Sequence, residues 1–303
     1  MKRQILLTGG TGQVGTEVQR LQWPDDAELY APGRRELDIT DPRSVAACFA
    51  KRTPSCVVNL AAFTAVDQAE ERVADAFLVN AQGPAFLAEA TRQIGIPIIH
   101  VSTDYVFDGD ADHPYSERDE TGPLNAYGAS KLAGELAVRA ANPRSAILRT
   151  AWVLSSHGNN FLKTMLRLAR ANPELKVVAD QTGCPTSAKD IAEVLQRMAL
   201  GSLDGSSNWG IFHFVNAGAT SWHGLAEHIF KFEAAGERPA PKVQAIASSQ
   251  YPTPARRPSN SRLDTTLIEK TFGLSPRPWR EAVNEILHEL SPTSPRAEQG
   301  RIE

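Results

Sequence analysis

The sequence predicts an α/β fold built on a doubly wound parallel sheet, and three observations predict it. Short apolar runs alternate with helical patterns through the first half of the chain. Parallel neighbours demand that alternation, because each needs a crossover connection and both sheet faces then need cover. The first apolar run passes through a glycine-rich turn into a helix, the opening half of a βαβ unit. Finally, 303 residues at 42% hydrophobic and 22% charged can bury a large core, and match neither a disordered chain nor a membrane protein.

Taken in order, Ile5-Leu6-Leu7 forms the first strand. Val14, Val18 and Leu21 recur at helical spacing over 13–21. Strands follow at 28–31, 56–60, 96–102 and 145–150, separated by helices at 42–52, 72–94 and 126–141. Beyond Thr150 the pattern loosens, with helical periodicity at 161–171, 188–200, 221–235 and 279–290 and short strands between. The proline-rich stretch 251–258 is brief and flanked by structured segments, which predicts an ordered loop; the tail after Ser291 is expected to fray. The division expected is a Rossmann-type domain over 1–150 and a smaller α/β domain over 151–303, with a soft boundary because late segments can return to the first sheet.

Charge and cysteine content exclude several classes. Lys plus Arg is 32 against 35 for Asp plus Glu, a net charge of -3, so no basic field exists to hold nucleic acid. The N-terminal apolar run is too short for a signal-peptide core or a spanning helix, which predicts a cytoplasmic protein with no membrane partner. Cys48, Cys56 and Cys184 are odd in number and far apart. They are read as reduced, structural thiols.

The glycine turn carries the first chemistry. Gly9, Gly10, Gly12 and Gly15 satisfy both GxGxxG and GxxGxxG spacings where strand hands over to helix. Glycines there allow positive φ and close backbone approach to a pyrophosphate, and the helix N-terminus favours the anion. About 20 residues on, where an acid would hold the ribose 2′-hydroxyl of NADH, stands Gly33-Arg34-Arg35-Glu36. Arg34 could pair with a 2′-phosphate, which tilts the cofactor towards NADPH, or be solvated surface charge. Asp38 and Ile39 suit the edge and face of an adenine.

Tyr127 and Lys131 are four apart on a predicted helix and share one face. A phenol is too weak an acid to protonate an alkoxide quickly near neutrality, and a neighbouring ammonium lowers its pKa. The same ammonium can orient a nicotinamide ribose. The pair follows the fourth predicted strand, whose carboxyl end carries Ser102-Thr103-Asp104-Tyr105, and ligands of open α/β sheets bind at such ends. Alternation lets only one of Ser102 and Thr103 face a substrate oxygen, and periodicity does not choose between them.

These residues, with Asn59-Leu60-Ala61-Ala62-Phe63-Thr64-Ala65-Val66-Asp67, Arg149-Thr150-Ala151-Trp152-Val153, Asp180-Gln181-Thr182-Gly183-Cys184-Pro185-Thr186 and Arg257-Pro258-Ser259-Asn260-Ser261-Arg262-Leu263, resemble the dTDP-4-dehydrorhamnose reductase family of extended short-chain dehydrogenases over nearly the whole chain. The resemblance implies Thr103, Tyr127 and Lys131 as the catalytic triad, with Asp104, Trp152 and Val66 at the sugar. It implies cofactor contacts at Gly12, Gln13, Val14, Asp38, Ile39, Ala62, Phe63 and Thr64, with Asn80 supporting the site, and NADPH or NADH as reductant. The implied reaction reduces dTDP-4-dehydro-β-L-rhamnose to dTDP-L-rhamnose. Some members are metal-bridged dimers that use glutamates, so a homodimer enters the expectations. Glu17 matches one such position, but Lys189 and Asp190 stand where another acid is wanted, so no metal ligand set is assigned and magnesium is left doubtful.

Other groups have plain readings. Trp222 is read as core, and His223, Glu227 and His228 as a solvated helix face, lacking His-Glu-x-x-His order. Arg256, Arg257 and Arg262 are diphosphate contacts or surface charge. The alternatives to a reductase are a non-catalytic regulatory subunit that keeps the dinucleotide fold, and a nucleotide-sugar epimerase.

Overall fold

A computed structural model of the chain describes residues 2–233 and 240–291; the expectation of a frayed tail lies outside them. The first half alternates as predicted: β1 (Arg3–Thr8), α1 (Gln13–Arg20), β2 (Ala27–Tyr30), α2 (Pro42–Lys51), β3 (Cys56–Asn59), α3 (Val66–Glu71), α4 (Val73–Phe77), α5 (Gly83–Gln93), β4 (Ile98–Thr103), α6 (Ala126–Ala141) and β5 (Ser145–Thr150). The second half holds β6 (Val153–Leu154), α7 (Phe161–Ala169), β7 (Glu174–Val178), β8 (Thr182–Gly183), β9 (Thr186–Ser187), α8 (Ala188–Leu203) and β10 (Gly210–His213). After these come β11 (Thr220–Ser221), α9 (Trp222–Glu233), β12 (Lys242–Ile246), β13 (Asn260–Ser261), α10 (Thr266–Phe272) and α11 (Trp279–Leu290).

Six parallel strands form the main sheet in the order β10-β5-β4-β3-β1-β2. β3 and β5 are buried along their whole length, as strands covered on both faces must be. The order reverses at β1, whose neighbours are β2 and β3. A crevice therefore opens beyond the carboxyl ends of these strands.

The chain crosses back after Thr150. β10 pairs with β5, and α8 packs on α1. A cut at Thr150 thus separates a strand of the main sheet, and a helix that packs on α1, from the rest of that layer. The second core gathers Trp279, Phe230, Ile229, Leu162 and Leu225 from α7, α9 and α11. It reaches the first lobe through Phe107 and Tyr115, whose rings stack with centroids 4.2 Å apart.

One expected helix is broken. In place of a single helix over 72–94, α4 runs into a π-turn (Leu78–Gln82) and then α5. Pro84 has no N–H, and its ring would clash with the carbonyl four residues earlier, that of Asn80. The displaced Asn80 carbonyl turns towards α6, where a Cβ on Gly134 would lie 2.0 Å from it. Only glycine admits that approach. A further helix, α3, for which no periodicity was assigned, begins at Val66 within the 59–67 string. The stretch 251–258 is ordered, as expected, and its Asn125 and Asp67 contacts tie it to the first lobe. All three cysteines are free and buried. Among the described residues no helix is long and apolar enough to cross a membrane.

Candidate active site

A cleft of about 880 Å³ runs from the glycine turn across the carboxyl ends of β1, β3, β4 and β5. Gly9, at φ +73°, forms its floor, and a Cβ there would lie 2.6 Å from the Leu60–Ala61 backbone. Gly12 caps α1 without a side-chain hydrogen bond, whereas α2, α6, α7 and α8 are each capped by an Asp, Asn or Ser side chain. The first-turn amides of α1 thus keep their capacity for an anion. Gln13 is fixed from the second lobe, since Ser155 Oγ and Asn160 Nδ2 donate to its Oε1 at 2.9 and 2.8 Å.

The rim beyond β2 carries Arg34, Asp38 and Ile39. Asp38 accepts from the Thr40 hydroxyl at 2.7 Å and the Thr40 amide at 3.0 Å, which hold its carboxyl below the usual range. Arg34 is 77% exposed and lies 3.5 Å from Asp38. Arg35 is not part of the lining.

Ala62, Thr64 and Val66 line the cleft; Phe63 and Asn80 do not. Phe63 packs under the Arg72 guanidinium instead. Asn80 is fully buried, accepts from the Phe63 amide at 2.7 Å, and donates to the Phe63 carbonyl at 3.1 Å and to Ser130 Oγ at 2.9 Å. Phe63 was expected at the cofactor and Asn80 in support of the site; Asn80 lies behind the wall and pins Phe63 of the 61–64 loop to Ser130 of α6.

Thr103, Asp104, Tyr105, Tyr127 and Lys131 meet at the inner end. The Asn125 side chain accepts from the Gly128 amide and starts α6, setting Tyr127 in its first turn. A Cβ at Gly128 would stand 2.1 Å from the Tyr105 carbonyl, so glycine permits the close packing. Of the two hydroxyls left open by the sequence, Thr103 is the one at Tyr127. Thr103 donates to Asp104 Oδ1 at 2.9 Å, and by rotating it can donate to the phenolate as that forms. The Ser102 hydroxyl is buried without a hydrogen-bond partner among the described residues.

Burial pushes the Tyr127 phenol well above its ordinary value, with Thr103 opposing. The sequence expected Lys131 to pull that phenol down. Instead, Lys131 Nζ donates to the Val101 carbonyl at 2.7 Å, which lies nearer in the strand beneath. Burial takes Lys131 down to about 8 and Asp104 up to about 6.

Trp152 closes the outer side. It is a non-glycine residue at φ +46°, a strained conformation of the kind that clusters at functional sites. Its ring stacks on Trp222, centroids 3.4 Å apart and planes 7° apart. Trp222 in turn donates to Gln181 Oε1 at 3.2 Å. Trp222 packs against the second core, as expected, and through this stack also backs the cleft wall. A Cβ at Gly183 would lie 2.4 Å from the Trp152 ring, which is why the Thr182–Gly183 strand needs glycine.

The arginines of 256–262 divide differently from expectation. Arg257 grips Asp67 with both terminal nitrogens, at 3.0 and 2.8 Å, joining the two lobes. Arg262 holds Asn260 Oδ1 and the Asp112 carbonyl. Neither lines the cleft. His223 pairs with Glu227 at 3.4 Å along α9, and His228 meets Asn284 of α11.

Glu17 does not meet Lys189 or Asp190, which are tied up with Arg277 and Glu285. It meets His157 and Glu289, the three ligand atoms lying within 4.8 Å of one another. The Arg20 guanidinium sits in the same cluster, 2.5 Å from His157 Nε2 and 3.5 Å from Glu17. Magnesium prefers an all-oxygen, partly hydrated shell. This donor set, with an imidazole and a resident guanidinium, does not fit it.

With that geometry in place, comparison with known proteins becomes decisive. Residues 2–291 match the family model described as the RmlD substrate binding domain. A dTDP-4-dehydrorhamnose reductase of Sinorhizobium fredii is 45% identical over 291 residues, covering 95% of this chain and 97% of that protein. The chain belongs to the dTDP-4-dehydrorhamnose reductase family. A solved family structure from Clostridium acetobutylicum superposes with a TM-score of 0.88 at 41% identity, over 95% of this chain and 99% of that one. Another, from Bacillus anthracis in complex with NADP, gives 0.89 at 32% identity, over 95% and 100%. The resemblance stated from the motifs, and the Rossmann-like fold, are both borne out.

The sequence reading missed three parts of this site. The 155–160 loop gave only a turn signal, Trp222 had ordinary helical spacing, and His100, behind Lys131, looked like one more residue of an apolar strand.

Proposed function

We propose that this chain reduces the C4 keto group of dTDP-4-dehydro-β-L-rhamnose to a hydroxyl, giving dTDP-L-rhamnose. The single observation that carries this reading is the meeting of Thr103, Tyr127 and Lys131 at the inner end of a cleft that leads back to the glycine turn. It is supported by a family membership that spans the chain.

A bound nicotinamide dinucleotide supplies the hydride that adds to the carbonyl carbon. Gly9, Gly12, Gln13 and Val14 hold the pyrophosphate at the α1 N-terminus, Asp38 and Ile39 take the adenine, and Ala62 and Thr64 line the path inward. Tyr127 gives its phenolic proton to the carbonyl oxygen as that oxygen gains charge. Thr103 donates to the oxygen left on Tyr127, and the Lys131 ammonium stabilises it while orienting the nearby ribose. Asp104, largely ionised at neutral pH, accepts from a sugar hydroxyl. Trp152 covers a sugar face and Val66 limits the pocket opposite.

The cofactor preferred is NADPH. β2 ends at Tyr30 and runs into Ala31-Pro32-Gly33-Arg34, without a carboxylate there for a 2′-hydroxyl. Arg34 stands exposed on the rim, suited to a 2′-phosphate. No step is routed through a metal.

The test is oxidation of NADPH and NADH, followed at the nicotinamide absorbance, with the keto-sugar made in the same tube by the enzymes that precede it. Sugar-dependent turnover to dTDP-L-rhamnose, faster with NADPH, supports the reading. Dinucleotide binding without turnover overturns it in favour of a regulatory subunit or another keto-sugar.

A further inference from the structure

Behind the cleft, a row of buried side chains runs from β1 to Lys131. Asn59, at the end of β3, accepts at Oδ1 from the Thr8 hydroxyl at 2.5 Å and from the Ala61 amide at 3.2 Å. A backbone amide can only donate, so the orientation of the Asn59 side chain is fixed by its surroundings. Its Nδ2 then points at His100 Nδ1, 2.9 Å away. Nδ1 must accept, and a neutral imidazole carries its single proton on the other nitrogen. That nitrogen, Nε2, faces Lys131 Nζ at 3.4 Å.

Protonation of the ring would set a second N–H against the Asn59 amide group and a second positive charge against Lys131. His100 is wholly enclosed, and burial together with Lys131 holds it far below the ordinary imidazole range. It is therefore a neutral donor. An N–H aimed at an amine favours the lone pair of –NH₂ and opposes –NH₃⁺. The other groups facing Lys131 are the Val101 carbonyl beneath it and, on its own helix, Tyr127 and Glu135. Glu135 is committed to Arg149 through two hydrogen bonds, at 2.9 and 2.7 Å.

We propose that His100 is a positioning residue for the reduction: Thr8, Asn59 and Ala61 lock it as the Nε2–H tautomer, and that N–H sets the charge state of Lys131. Burial alone already takes Lys131 down to about 8, and the fixed N–H at 3.4 Å acts in the same direction. The inference rests on the reductase reading for its kinetic part and stands apart from it for its spectroscopic part.

The first measurement is ¹⁵N NMR of the full chain with labelled histidine. His100 is expected to show a protonated Nε2 and a bare Nδ1, without titrating from about pH 5.5 to 9. The second is the pH profile of kcat/KM. Asn59→Asp keeps acceptors for Thr8 and Ala61 and turns an oxygen to His100, so the proton moves to Nδ1 and bare Nε2 accepts from the ammonium. The basic limb is expected to rise by about one pH unit. His100→Phe removes the N–H and is expected to shift the limb the same way.

A purely structural role would lower kcat and leave the limb in place. An Nδ1–H or charged His100 in the unmutated protein overturns the proposal, and so does an unmoved limb in either folded variant. If neither variant folds, the spectrum of the unmutated protein still decides. Loss of turnover with the expected sugar alongside the expected spectrum would instead count against the reductase reading.

Discussion

Two buried imidazoles face two buried cations, Lys131 of α6 and Arg149 of β5, and they face them in opposite ways. His213 gives its Nδ1 proton to the Tyr115 carbonyl at 3.0 Å and turns a bare Nε2 towards Arg149, at 3.4 Å. His100 has the reverse arrangement, bare at Nδ1 and protonated towards Lys131. Arg149 also has the Glu135 carboxylate as a two-pronged partner, both side chains 2% exposed or less. Among the described residues Lys131 has no ion pair of its own. The Arg149 site is complete, and arginine does not give up its proton in proteins. The Lys131 site is left open, and a buried lysine shifts readily. One site supports the fold, and the other is the one to which the proposed reduction assigns chemistry.

The contrast gives predictions of decreasing size. Tyr127→Phe should cut kcat about a thousandfold while leaving dinucleotide binding and unfolding nearly unchanged, because the work proposed for the phenol is proton delivery. Rapid-quench turnover beside a fluorescence titration checks it. Glu135→Ala should do the opposite. It strands the Arg149 charge in the interior and should cost about 3–5 kcal/mol in urea unfolding. A loss below about 1 kcal/mol would show that the pair is not the support described here.

Lys131 should leave its mark on stability against pH. Its ordinary value of 10.5 falls to about 8 in the folded chain, so between these limits the unfolded chain binds a proton that the folded chain does not. Stability therefore rises with pH across that window, by about 3 kcal/mol, and the gain is lost again as pH falls back from 10.5 to about 8. Lys131→Met should abolish that rise; comparing denaturation of the two proteins across the window reads it. The smallest effect expected is at the rim. Arg34→Ala should lower the kcat/KM preference for NADPH over NADH by about tenfold, with kcat for NADH little changed.

The sequence made the layers legible because periodicity and glycine spacing are local signals. The helix Ala126–Ala141, the strand Ser145–Thr150 and the helix Trp279–Leu290 have the bounds expected for them. The Tyr127–Lys131 spacing is likewise a single helical turn, readable without a partner. What escaped depends on contacts far apart in the chain. The π-turn at 78–82 follows from Pro84 acting on a carbonyl that α6 receives. The Trp152–Trp222 stack joins residues 70 apart, and the Asp67–Arg257 grip joins residues 190 apart. Phe63 and Asn80 show the converse limit, because a motif string places residues near a ligand without saying which face the cleft and which hold the wall.

The most direct test of the account uses dinucleotide deuterated at the transferred position of the reduced ring, with the keto-sugar as acceptor and NMR of the sugar as readout. The account predicts one deuterium at C4 of dTDP-L-rhamnose for each dinucleotide oxidised. Deuterium at another carbon, or return of the label to the ring without net oxidation as an epimerase would give, would contradict it.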